Sequence, residues 1–102
     1  EFLYVDDLAS AVVHCLEHWS PSKDELSWIN VGASTDISIA VLAGMVARAS
    51  GYTGLIEWDQ SKPDGIHSKL MDSSNIHALG WKSKYTLEQG LKVSIDNYKK
   101  NI

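Results

Sequence analysis

A chain of 102 residues, 44% hydrophobic and 22% charged, has the composition of one small globular domain. Its net charge of -4, with nine mostly scattered Lys and Arg residues, argues against a nucleic-acid backbone as partner, and no run approaches the roughly 20 apolar residues of a membrane span. The one cysteine, Cys15, leaves no internal disulfide, so a reducing, cytoplasmic setting is expected.

The chain opens on Glu1 with neither an initiator Met nor a signal sequence, and is expected to begin within a longer polypeptide. Phe2 to Val5 is a short apolar run that predicts a strand, and Asp6 follows as a helix N-cap. Leu8, Ala11, Val12, Cys15, Leu16 and Trp19 recur at helical spacing and predict a helix that ends before Ser20-Pro21. A polar loop is expected from Ser20 to Glu25, and a buried strand from Trp28 to Val31, closed by Gly32.

Ser38 opens a second predicted helix with an apolar face of Ile39, Leu42, Ala43, Val46 and Ala47, and Gly51 ends it. Leu55 to Trp58 reads as a strand, the segment 59–68 as a loop around the Pro63-Asp64-Gly65 turn, and Lys69 to Asp72 as a brief extended stretch. Ser73 starts a short helix stopped by Gly80. Thr86 and Gln89 have capping-box spacing, and Leu87, Leu91, Ile95 and Tyr98 form the stripe of a last helix. Strands alternating with helices predict an α/β domain with a sheet, its strand directions left open.

Chemistry-bearing residues have bland readings to beat. His14-Cys15-Leu16-Glu17-His18 matches a zinc-binding H-x-x-E-H pattern, yet the expected stripe places both histidines at its flank, and no metal site is expected. Cys15 lies on that stripe and reads as core. Asp6-Asp7 reads as helix-end electrostatics before it reads as an acid/base pair. Gly32, Gly44, Gly51 and Gly54 make no phosphate-cradling G-x-G-x-x-G loop. The turn Ser61 to Gly65, with Lys69 soon after, is the best candidate for an anion site. A solvated surface turn explains it as well.

Five segments in order carry a resemblance: Glu1 to Asp7, Ile29 to Gly32, Ser61 to Gly65, Lys69 to Asp72, and Leu79 to Trp81. Over essentially its whole length the chain resembles the GDP-L-fucose synthase family of extended short-chain dehydrogenases/reductases. The first two segments are shared widely in that superfamily, and the Ser-Lys-Pro-Asp-Gly run with the segments behind it points to the fucose branch.

The resemblance implies that residues 1–102 are a carboxy-terminal, substrate-binding domain with a short mixed sheet and four helices, without the Rossmann domain. It implies an NADP-dependent epimerase/reductase that makes GDP-L-fucose from GDP-4-keto-6-deoxy-mannose, homodimeric when complete, with NADP bound by the absent amino-terminal domain. No catalytic or cofactor-binding residue carries over, because none of the four tyrosines begins a Tyr-x-x-x-Lys pair. Asp64 and Lys69 carry over as contacts to the GDP-sugar, Lys69 at the diphosphate. Ile66-His67-Ser68 departs from the family's Thr-Pro-Arg at that place. Another sugar-nucleotide 4-epimerase or 4,6-dehydratase is the alternative within the superfamily, and a non-catalytic interaction module the alternative outside it.

Overall fold

The computed structural model describes residues 1–21 and 27–102. Most of the expected polar loop after Ser20 lies outside them. Among the described residues there are four helices, α1 (Val5–His18), α2 (Ile39–Ser50), α3 (Ser74–Ala78) and α4 (Leu87–Lys100), and no strand. This corrects the expected α/β domain with a mixed sheet. A strand exists only where a neighbouring backbone completes its ladder. The runs 2–4, 28–31 and 55–58 find no such partner, and Leu3, Ile29 and Val31 instead pack their side chains against the core.

The first helix starts two residues earlier than the predicted Asp6 cap implies. Tyr4 is its N-cap, without a side-chain bond, and Asp6 and Asp7 fall inside the first turn. There the carboxylates still favour the positive helix end, but Asp7 is 1% exposed and bonds elsewhere. The inward face is narrower and more polar than the apolar stripe predicts. Ala11 is fully buried and Cys15 half-buried, whereas Leu8, Val12 and Leu16 are exposed.

Three polar residues of α1 explain that face. Asp7 accepts from the backbone N–H groups of Lys84 and Tyr85 at 2.9 and 3.1 Å. Ser10 Oγ accepts from Trp81 Nε1 at 2.9 Å, and His14 Nε2 pairs with the Leu79 carbonyl at 2.7 Å. As α1 climbs from 7 to 14, its partners descend from 85 to 79, so that segment lies antiparallel along the helix. Ala11, Ile76 and Trp81 close the small core beneath it.

Helix ends match their local signals. Ser38 Oγ accepts from Val41 N, and Gly51 closes α2 at φ 78, the left-handed conformation that glycine adopts without penalty. In α4 the reciprocal capping box of Thr86 and Gln89 is complete. Ser73 caps α3 in position only, while the Asp72 carboxylate accepts from Ser74 N at 2.9 Å. α2 packs on α4, and Gly90 lets them meet the chain's start, since a Cβ there would lie 3.0 Å from Tyr4 Cβ.

Burial is slight. No α2 residue is fully buried, and Tyr98, expected inside, is exposed. The radius of gyration, 16.9 Å, exceeds the about 13 Å of a compact 100-residue domain. The α2 face borders an open apolar cavity of about 470 Å³ lined by Leu42, Val46, Tyr52 and Ile56 among others.

Candidate functional site

The candidate segment runs from Asp59 to Asp72 and has no regular structure. Its side chains are exposed throughout, including Asp64 and Lys69. It is shaped at its ends by local turns: the Asp59 carboxylate accepts from Ser61 N and Ser61 Oγ at 2.9 and 2.6 Å, and Asp72 accepts from Ser74 N. Bonding to Ser61 holds the Asp59 carboxyl below its ordinary pKa, and bonding to Ser74 does the same for Asp72.

Longer ties come from the chain's beginning. Glu1, whose side chain is 5% exposed, accepts from Ser34 N at 2.7 Å with one carboxylate oxygen and from Met71 N at 3.1 Å with the other. Ser34 stands at φ 63, uncommon for a residue with a Cβ. Gly32 makes room for the carboxylate, because a Cβ there would come within 2.5 Å of it. Asp36 Oδ2 accepts from Ser68 Oγ at 2.7 Å. The Ser68 hydroxyl, the largest cause, holds the Asp36 carboxyl below its ordinary pKa.

Asp64 and Lys69 therefore share one exposed segment. No ion pair among the described residues engages Lys69. Neither residue lines the α2 cavity or the apolar cavities beside Cys15 and beside Tyr4. The other sequence candidates lie elsewhere in the molecule. His14 is spent on the Leu79 carbonyl, His18 lies 3.7 Å from Glu17 at the surface, and no group of three metal-ligating side chains occurs among the described residues. Cys15 lines an apolar cavity with Trp19, Ile29 and Val31.

Sequence reasoning missed Glu1, Ser34, Asp36 and Ser68. A local pattern hints at none of them, because each tie spans more than thirty residues. A signal did exist for Asp7, Ser10 and His14, since three polar residues at i, i+3 and i+7 on one helix face need partners if that face is buried. The helices α1, α2 and α4 open on Tyr4, Ser38 and Thr86.

No family model matches the chain. It is 44% identical over its full 102 residues to a probable GDP-L-fucose synthase 1 of Oryza sativa subsp. japonica, and 43% identical over the same length to GDP-L-fucose synthase 1 of Arabidopsis thaliana. A GDP-L-fucose synthase of Escherichia coli is 45% identical over 96 residues. The chain spans about 30% of the length of each of these relatives. A solved GDP-6-OMe-4-keto-L-xylo-heptose reductase from Campylobacter jejuni superposes on 95% of the chain with a TM-score of 0.85 at 36% identity, again over 30% of its own length. A GDP-mannoheptose C4 reductase of the same organism, solved with NADP bound, covers 92% at a TM-score of 0.76 and 37% identity.

Over its whole length the chain is similar to part of GDP-L-fucose synthases, and in fold to part of GDP-sugar reductases. Several of its sequence relatives are GDP-L-fucose synthases, and a GDP-L-colitose synthase of Yersinia pseudotuberculosis is 33% identical over 91 residues.

Proposed function

We propose that residues 1–102 form the substrate-binding domain of a cytoplasmic, NADP-dependent epimerase/reductase that converts GDP-4-keto-6-deoxy-mannose to GDP-L-fucose. In this reading Lys69 meets the diphosphate and Asp64 contacts the GDP-sugar. NADP and the redox machinery belong to the remainder of a longer, homodimeric protein, and these residues alone are inactive. The observation that carries the reading is the exposed Lys69 ammonium, unpaired among the described residues, on a segment tied at both sides. An exposed cation with no ion-pair partner among the described residues is suited to an anionic ligand.

Titration of the complete protein with a GDP-sugar, beside Lys69→Ala, tests it. A weakening of about tenfold or more fits loss of a charge-assisted contact, and unchanged affinity removes Lys69 from the site. The two Campylobacter reductases favour a second reading, reduction of another GDP-sugar at C4 without epimerisation. Product analysis with several GDP-4-keto sugars separates the two.

A further inference from the structure

Lys69 sits between two tethers. One residue before it, Ser68 Oγ donates to Asp36. Two residues after it, Met71 N donates to Glu1. Glu1 grips Ser34 with its other oxygen, two residues from Asp36, so both tethers of Lys69 end on one stretch of chain. The local turns at Asp59 and Asp72 bond only residues two positions away, and they leave the backbone between them unplaced relative to the rest of the molecule. A lysine on an untethered loop loses affinity to the cost of ordering that loop on binding, and preorganisation recovers it.

We infer that Glu1 and Asp36 are positioning residues for Lys69, fixing through Met71 and Ser68 the place where its ammonium meets a diphosphate. The inference rests on the Lys69 reading given above. Both carboxylates are occupied by hydrogen-bond donors, and neither forms an ion pair with Lys69. They therefore act on where the cation sits, and leave its charge unneutralised.

The test is a double-mutant cycle on the complete protein, with GDP as the titrated probe and steady-state kinetics alongside. Ser68→Ala removes one exposed hydroxyl and Glu1→Gln removes one of two facing acceptors, and each is expected to weaken GDP about threefold to tenfold. In a Lys69→Ala background neither change weakens GDP further. KM for the GDP-sugar rises with kcat unchanged, because the contact is made equally in ground and transition states. Ser68→Thr keeps the hydroxyl and restores binding. If Lys69→Ala weakens GDP but Ser68→Ala adds its full effect on top, the tethers do not act through Lys69 and the inference is overturned while the Lys69 reading stands. If Lys69→Ala changes nothing, that reading fails and takes the inference with it.

Discussion

The indole Nε1 of Trp81 donates to Ser10 Oγ at 2.9 Å, and that hydroxyl in turn donates to the Asp7 carbonyl within α1. One small side chain thus joins a helix to a tryptophan 71 positions away. Trp81→Phe keeps most of the apolar volume and removes the donor. It is expected to cost about 1 kcal/mol, with Ser10 left its local bond, whereas Trp81→Ala costs about 3–5 kcal/mol through the cavity it opens. Urea unfolding of the complete protein measures both.

Asp7 is the more demanding position. Its carboxylate is 1% exposed and satisfies two backbone N–H groups, so Asp7→Ala strands both in a buried place. The expected loss is about 2–4 kcal/mol, and Asp7→Asn, which presents one acceptor and one donor to two donors, falls between it and the parent. An Asp7→Ala variant as stable as the parent would show that water reaches those groups.

How far each feature was legible in the sequence follows the distance its cause spans. Ser38, Gly51 and the Thr86–Gln89 box were readable because a cap is decided within four residues. The strands were not, since Phe2 to Val5 and Leu55 to Trp58 show apolar content but cannot show whether another backbone lies alongside. Asp6 looked like an N-cap because it follows an apolar run, whereas Tyr4 takes that place and Asp7 beside it is used 77 and 78 positions away. At the candidate site, Lys69 was visible as a cation near a turn, whereas its tethers to Glu1 and Asp36 arise only when residues 1, 34–36 and 68–71 converge.

Gly32→Ala offers a separate handle on the same clasp. The added Cβ would come within 2.5 Å of the Glu1 carboxylate, the far end of a flexible side chain that can swing away. Thermal stability should change by less than about 1 kcal/mol, because Glu1 moves into solvent and the backbone keeps its course. GDP affinity should fall about as much as in Glu1→Gln. A variant that melts early and binds normally contradicts the clasp's role.

Acid should release one tether. The Asp36 carboxyl is held low by Ser68, so its bond is fully formed above the ordinary aspartate value of about 3.9 and is lost only as pH falls through the lower folded value. Carbon-detected NMR titration of Asp36 follows this directly. Ser68→Ala should raise its midpoint towards the ordinary value, and an unmoved midpoint denies the bond in solution.

The exposed α2 face predicts the behaviour of these 102 residues by themselves. Ile39, Val41, Val46, Tyr52 and Ile56 leave apolar surface open beside the cavity of about 470 Å³. Sedimentation should show self-association that rises with concentration, and Val46→Lys should reduce it. A monodisperse monomer contradicts the expectation.

The role proposed for Lys69 is to meet the diphosphate of a GDP-sugar. Calorimetric titration of the complete protein with GDP-L-fucose, comparing the parent with Lys69→Ala, tests it most directly. Binding weakened about tenfold or more is expected, with the melting temperature unchanged. Equal affinities in the two proteins would contradict it.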